Sequence, residues 1–450
     1  MTDRLTEDQA LDPVAYINTP RWQESRYGLE RTYALLAKLG NPHEHLKFVH
    51  VAGTNGKGST CAYLAGILQA AGYKVGLFTS PYIERFEERI RVNGQNISED
   101  DLMAVTLDVR DAADAVEVER GEHPTEFELM TGVAFAHFAR SGCDIVVCEV
   151  GLGGELDSTN VIPRPEVSAI CRLGLDHTAL LGDTIDQIAQ AKAGIIKQGC
   201  PVVTYPQPPE ALAVIEAKAN AMDAPLSVAD FGLLEIGDVS TGIADNVPMR
   251  AFSFGSFGPL RTRLLASYQP YNAAMALEVV RVLRAGGWGI PDKAVREGVE
   301  ACTWPGRFEV VRTNPVVIVD GGHNPQGAEA LASSLASVFP GRKAVFAIGL
   351  LADKDYPAML RTLVPYGSAF VCMQPNNPRA LAAEDLAQAV REALADTEGA
   401  QAAADALVEV QPDYDAALPH AIELAGPDGM VVASGSLYQV GDVKRVLRSL

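Results

Sequence analysis

Two successive α/β units are predicted by three features of the chain. Apolar, β-rich runs alternate with helical stretches from residue 47 to about 205 and again after residue 316, and such alternation marks largely parallel sheets covered by helices. The length of 450 residues exceeds what one hydrophobic core usually serves. A Pro-Gly turn in Thr303-Trp304-Pro305-Gly306-Arg307 separates the two series. The expected division is a first unit over 1–302, a linker over 303–315 and a Rossmann-like unit over 316–450.

In chain order, the strands of the first unit fall at 47–52, 74–79, 144–150, 167–173 and 200–204. The first strand runs into Gly53-Thr54-Asn55-Gly56-Lys57-Gly58-Ser59-Thr60. Glycines there let the backbone turn its N–H groups toward an anion, Lys57 adds a positive charge, and Ser59 or Thr60 can hold a magnesium ion. Tyr63, Leu64, Ile67 and Leu68 follow at helical spacing, so the turn opens a helix whose positive end faces the phosphates. Val51 stands where the first glycine of the usual G-x-x-x-x-G-K-[ST] pattern belongs, and Gly58 separates Lys57 from Ser59. The first unit is therefore read as a P-loop-type nucleotide-binding domain of uncommon spacing. Asp183-Thr184-Ile185-Asp186-Gln187 resembles a capping box that starts the helix carrying Lys192. Between 225 and 265, short runs broken by Gly, Pro and Ser suit a small antiparallel appendage, and 271–286 returns to a helical pattern. The second unit offers strands at 316–319, 344–348, 369–373 and 430–433, and the alanine-rich 389–406 reads as a surface helix.

Ligands of open α/β sheets sit at the carboxyl ends of the strands. There the chain places Ser80, Glu149, Asp176 and His177. A hydroxyl, a carboxylate and an imidazole could share a hard cation with nucleotide phosphates, although histidine is an unusual ligand for magnesium. By position alone, Lys192 is a solvated helix residue. In the second unit, Asp320-Gly321-Gly322-His323-Asn324-Pro325 pairs a carboxylate with a histidine near the expected interdomain cleft. The competing interpretation is a plain turn capped by Asn324, with Pro325 at the first helical position.

Bulk properties narrow the partners. Hydrophobic content of 48% and charged content of 21% suit a soluble globular protein. A formal charge of −20 argues against nucleic acid and anionic membrane, which it repels at long range. Seven scattered cysteines, mostly inside apolar runs, read as reduced thiols of a cytoplasmic protein. No apolar run reaches transmembrane length, and the N-terminal residues are too polar for a signal peptide. A monomer is expected.

Several ordered motifs resemble one family. They are His-Val-Ala-Gly-Thr-Asn-Gly-Lys-Gly-Ser (50–59), Thr-Ser-Pro (79–81), Glu-Arg-Ile (88–90), Glu-Val-Gly-Leu-Gly-Gly (149–154), Leu-Asp-Ser-Thr-Asn (156–160), Asp-His-Thr-Ala-Leu-Leu-Gly (176–182), Lys-Ala-Gly-Ile (192–195), Trp-Pro-Gly-Arg (304–307) and Asp-Gly-Gly-His-Asn-Pro (320–325). Together they resemble the folylpolyglutamate synthase/dihydrofolate synthase family of the Mur ligase superfamily, from Tyr27 to Tyr438. The resemblance implies an ATPase-type first domain, a C-terminal glutamate-ligase domain, and ATP-dependent joining of L-glutamate to a folate through an acyl phosphate. It implies catalytic parts for Lys57, Lys192, Asp320 and His323. ATP contacts are implied at Gly53, Thr54, Asn55, Gly56, Lys57, Gly58, Ser59, Thr60, Gln269, Asn272, Arg307 and Asp320. Two magnesium ions are implied, held by Ser59, Ser80, Glu149, His177 and a carbamylated Lys192. Substrate contacts are implied at Thr125, Phe127 and Asp157 for the pterin, and at His323 and Ser436 for glutamate. Tyr82, Glu155 and Gly322 depart from the common histidine, arginine and alanine. The first two lie on the folate side and bear on whether dihydropteroate is accepted besides reduced folates.

Overall fold

The computed structural model describes residues 11–21, 28–241 and 248–450; Tyr27 and the N-terminal residues read as too polar for a signal lie outside them. Their contacts divide into a first unit within 1–236, 252–261 and 271–302, and a second within 237–251, 262–270 and 303–450.

The first unit is built on an eight-stranded sheet. Its strands are β1 (Phe48–Ala52), β2 (Val75–Phe78), β3 (Ile90–Val92), β4 (Gln95–Asn96), β5 (Ile145–Glu149), β6 (Val167–Ile170), β7 (Val202–Thr204) and β8 (Leu226–Val228), in the order β4-β3-β2-β5-β1-β6-β7-β8. The ladders from β2 to β8 are parallel, and β3 and β4 add an antiparallel edge. Every residue of β1 is buried, as a central parallel strand covered on both faces requires. Register brings Val51 beside Glu149 and Phe78 beside Cys148. The loops that follow β1, β2 and β5 therefore emerge side by side. Helices Glu30–Lys38, Glu99–Arg120 and Glu126–Arg140 bury Leu35, Val109 and Phe135 in a core with Phe48, whose ring lies 5.1 Å from that of Phe135. Each such ring contributes roughly 1.5–3 kcal/mol by leaving water.

Strands β9 (Leu234–Thr241), β10 (Pro248–Phe254) and β11 (Pro259–Thr262) form a three-stranded sheet of order β11-β10-β9, where the appendage was expected. Helix Gln269–Ala285 follows.

The second unit carries β12 (Glu309–Thr313), β13 (Val316–Asp320), β14 (Ala344–Ile348), β15 (Gly367–Cys372), β16 (Leu407–Val410) and β17 (Met430–Ser434), in the order β12-β13-β17-β14-β15-β16. Only β12 is antiparallel to its neighbour. The last strand is inserted between β13 and β14, so the carboxyl ends of three central strands gather at one place, where open α/β sheets bind ligands. The stretch read as one helix over 389–406 is two, Ala383–Glu398 and Ala400–Asp405, parted at Gly399, whose φ of +94° no helix accommodates.

Candidate active site

The turn after β1 is held in shape by its neighbours. Gly53 has φ +149°, and a Cβ there would stand 2.7 Å from Cys171 Cβ. Gly56 has φ +87°, and a Cβ there would stand 2.5 Å from Asn272 Oδ1. Both positions therefore exclude a side chain. The N–H groups of Thr54 and Asn55 donate to Arg172 O at 3.0 and 3.1 Å, and the Thr54 hydroxyl donates to Gly174 O. The donors that could face an anion are thus those further along, where helix Lys57–Ala70 opens on Gly56 with no side-chain cap. Its first-turn N–H groups have no intrahelical acceptor. Ser59 is buried in that turn. Thr60 is fully buried, and its hydroxyl accepts from Cys171 Sγ at 3.5 Å, so the hydroxyl turns to the core. Of the two hydroxyls, Ser59 is the better placed for a metal.

Charged groups converge beside this turn. Lys57 Nζ lies 3.9 Å from Glu149 Oε1 and 3.4 Å from Thr54 O. The Ser80 N–H donates to Glu149 Oε2 at 3.2 Å, joining the loops after β2 and β5. Lys192 is buried and donates through Nζ to Gly53 O at 3.0 Å. Loss of hydration, and secondly the nearby Lys57, push its ammonium down to about 7; Asp176 and Asp157 oppose this. His177 is more than half exposed at the start of the short helix Thr178–Leu181, with Nε2 3.8 Å from Asp176 Oδ2. The structure thus joins Lys57, Ser80 and Glu149 directly, ties Lys192 to the backbone of the same turn, and sets His177 beside Asp176. Among the described residues, the three-membered His/Cys/Asp/Glu group with metal-like spacing is instead Asp114, Glu117 and His123. There His123 already bonds Pro124 O and Tyr16 Oη through its two ring nitrogens.

Asn272 is buried one turn into helix Gln269–Ala285, where its Oδ1 accepts from Tyr205 Oη at 2.5 Å. Tyr205 directly follows β7 and packs edge-on against Phe231, which in turn meets Tyr271. Sequence reasoning missed this anchor, although its place just past a strand end is the signal that singled out Ser80 and Glu149. Gln269, fully buried, opens the same helix.

The three residues assigned to the pterin have visible local work. Thr125 caps helix Glu126–Arg140 in a reciprocal box with Glu128. The Phe127 ring is half-buried 6.0 Å from Phe78, and a Cβ on Gly151 would fall 2.3 Å from its Cζ. Asp157 is buried; its oxygens accept from Leu152 N at 2.8 Å and Thr159 N at 3.0 Å, while burial pushes its carboxyl upward against those bonds. The Thr159 hydroxyl reaches His50 Nε2 at 2.8 Å. Burial lowers that imidazole to about 3, which makes it a neutral partner.

In the second unit, Asp320 ends β13 and accepts from Phe308 N at 2.9 Å and Gly322 N at 2.8 Å. Burial raises its carboxyl while Arg307 pulls it down. Gly321 N donates to Gly306 O at 2.8 Å, so the Trp-Pro-Gly-Arg loop and the Asp-Gly-Gly-His turn are tied together. Asn324 caps helix Pro325–Val338 with Pro325 at its start, so the plain-turn interpretation is realised in the same segment that presents His323. A Cβ at Gly322, where the resembled family commonly has alanine, would lie 2.8 Å from Asp320 Oδ1. Ser436 is fully buried and accepts from Tyr438 N at 3.2 Å.

Comparison with known proteins fits this geometry. The Mur ligase middle domain matches residues 51–280, and the Mur ligase glutamate ligase domain matches 306–437. The dihydrofolate synthase/folylpolyglutamate synthase of Bacillus subtilis is 35% identical over 447 residues, covering 97% of this chain and all of the relative. Folylpolyglutamate synthase of Lacticaseibacillus casei is 35% identical, covering 97% and 98%. Among solved structures, Mycobacterium tuberculosis folylpolyglutamate synthase complexed with ADP and AMPPCP superposes with a TM-score of 0.81 at 31% identity over 94% of this chain and 95% of its own. Escherichia coli FolC in complex with DHPP and ADP gives 0.80 at 31% identity, with 97% of each chain covered.

Proposed function

The chain belongs to the folylpolyglutamate/dihydrofolate synthase family of Mur ligases, and from that membership we propose that it joins L-glutamate to a folate with consumption of ATP. One observation carries the chemistry: helix Lys57–Ala70 opens on a glycine turn with Lys57 beside buried Glu149 and the Lys192 amine bonded to the same turn. The activity follows from the relatives' printed names; this turn supplies the means.

A carboxylate is a poor electrophile because oxide is a poor leaving group. In the proposed reaction its oxygen attacks the γ-phosphorus of ATP, the bond to the β-phosphate oxygen breaks, and ADP leaves. The glutamate amine then attacks the acyl carbon; phosphate departs and the amine loses a proton. Both partners of the first step are anions, so the turn's role is to supply positive charge in a fixed geometry. Lys57 provides a full charge, and the uncapped helix start provides partial ones. Gly53 and Gly56 keep the backbone bare where phosphates approach, and Tyr205 fixes the Asn272 amide over Gly56.

The donor set suits magnesium, because Glu149 carboxylate, Ser59 and Ser80 hydroxyls and nucleotide oxygens are hard ligands. Bound there, the ion would neutralise developing phosphate charge. His177, half exposed, reaches such a site most readily through water. Lys192 has the property carbamylation requires: an ammonium lowered to about 7 leaves a large neutral fraction near neutrality that can attack carbon dioxide. Arg307, Asp320, His323 and Ser436 are proposed contacts for ATP and glutamate on the strength of the glutamate ligase domain match, and Gln269 for ATP on that of the middle domain match. Phe127 is proposed to face the pterin, with Thr125 and Asp157 holding its helix and loop. Tyr82 and Glu155 leave dihydropteroate and reduced folates as competing acceptors. No helix among the described residues is long and apolar enough to cross a membrane. The seven cysteines are free and buried, which accords with the reducing cytoplasm; a cytoplasmic location and a monomeric state are proposed.

Phosphate release from ATP with glutamate, comparing dihydropteroate, tetrahydrofolate and tetrahydrofolate diglutamate, tests the proposal. Turnover with at least one acceptor is expected. Release that needs neither acceptor nor glutamate would contradict it.

A further inference from the structure

The junction between helices Glu99–Arg120 and Glu126–Arg140 gathers three ligand-type side chains that the ligase chemistry leaves unused. Asp114 and Glu117 stand one turn apart on the first helix, both exposed. Gly121, at φ +74°, ends that helix and turns the chain back, so that His123 comes to the same two carboxylates. One ligand atom from each of the three lies within 4.8 Å of the others. Like charges a turn apart repel, and among the described residues no hydrogen bond or ion pair engages either carboxylate. Arg110, one turn before Asp114, pairs with Asp111 instead.

The imidazole is held as a metal ligand is held. His123 Nδ1 lies 2.8 Å from Pro124 O. A carbonyl only accepts, so Nδ1 carries the proton and Nε2 of the neutral ring carries the lone pair. Metal-binding histidines are oriented in this way, with one ring N–H given to a backbone carbonyl and the other nitrogen turned to the ion. Nε2 faces Tyr16 Oη at 3.3 Å, longer than a hydroxyl's usual hydrogen bond. Burial, joined by Asp114 and Glu117 and opposed by Arg21 and Arg110, pushes the Tyr16 phenol up to about 12, so the hydroxyl keeps its proton and donates it to Nε2. The phenol thus fills, at long range, the place of a Lewis acid. Arg21 is engaged elsewhere: its guanidinium lies 4.8 Å from the centre of the Tyr16 ring and donates to Tyr16 O and Thr19 O.

From this geometry we propose that Asp114, Glu117 and His123 form a binding site for a divalent transition-metal ion of the zinc type. An imidazole beside two carboxylates suits such an ion better than magnesium or calcium, which take oxygen donors. Three protein ligands leave a fourth position to water, and the carbonyl end of helix Glu99–Arg120 adds partial negative charge that favours a cation. The ion would join the end of one helix to the loop that starts the next, as a clip on the fold. The site takes no part in the ligase reaction and does not rest on it.

Zinc binding to the full chain, measured by competition with a chromophoric chelator in excess magnesium to keep all-oxygen sites occupied, tests this. The parent is expected to bind an equivalent of zinc through these ligands and to melt at a higher temperature with it. His123→Ala and Asp114→Asn are each expected to weaken that equivalent about tenfold or more and to remove the shift in melting temperature, with phosphate release from ATP unchanged. Glu119→Gln, on the same helix but paired with Lys38, is expected to bind zinc as the parent does, so the loss reports the three ligands and not the general acidity of the helix. A zinc affinity within twofold of the parent in both His123→Ala and Asp114→Asn overturns the proposal, as does a parent chain that takes up no zinc. Should His123→Ala misfold, Asp114→Asn, a change at one exposed side chain, carries the same readout.

Discussion

Replacing Lys192 by Met removes a buried amine whose protonation the fold opposes. Loss of hydration, then Lys57, lower that ammonium from 10.5 to about 7. Between those two values the unfolded chain binds more protons than the folded one, so this group makes the free energy of unfolding rise with pH across that window. The penalty is fully present below about pH 7 and gone above about 10.5. At about 1.36 kcal/mol per pH unit, it amounts to roughly 4 kcal/mol near neutrality. Against it stands the bond from Lys192 Nζ to Gly53 O at 3.0 Å, about 1 kcal/mol; the methionine chain refills most of the stem's volume. Lys192→Met is therefore expected to be more stable than the parent by about 3 kcal/mol at pH 6.5. That advantage should shrink by about 1.4 kcal/mol per pH unit toward pH 9, while ligase turnover falls about 10²-fold. Urea unfolding across this pH range, in buffer free of bicarbonate and nucleotide, measures it. A stability difference that stays constant from pH 6.5 to 9 refutes the reasoning.

Three further substitutions probe the same unit. Lys57→Ala is expected to lower turnover by about 10²-fold or more while the fold persists, because a charge aimed at the transferring phosphate is lost; near-normal phosphate release would contradict that role. Gly56→Ala meets both a left-handed φ and Asn272 Oδ1 at 2.5 Å, so nucleotide titration should show ATP affinity reduced about tenfold or more, and unchanged affinity would mean that the turn can move aside. Asp157→Ala leaves the Leu152 and Thr159 N–H groups without their acceptor and should cost about 1–3 kcal/mol in urea unfolding, with hydrogen exchange quickening at those two amides.

Central strands and the glycine turn after β1 were legible in the sequence, and edges were not. β1, β5 and β6 are buried throughout and read as mostly apolar runs, each with a single polar residue. By contrast β4 is wholly exposed, β12 is at best half-buried, and β16 buries one residue in four. Such edge strands are specified by their partners and carry no apolar run of their own. The capping box at Thr184 was legible because its signal is local, and the structure keeps it with Gln187. Thr125-x-x-Glu128 has the same spacing and forms the same box, although Thr125 is read from the sequence only as a substrate contact. Lys192 looked like a solvated helix residue because what buries it is remote in sequence: its partner, Gly53, lies 139 positions away. Tyr205 was invisible for the same reason: its acceptor, Asn272, lies 67 positions away.

The most direct test of an acyl phosphate is the fate of the acceptor's own oxygen. With a folate labelled by oxygen-18 in the carboxylate that is to be extended, the account predicts one labelled oxygen in each inorganic phosphate released, because that oxygen bridges carbon and phosphorus before the amine displaces it. Unlabelled phosphate formed alongside the amide product would contradict it.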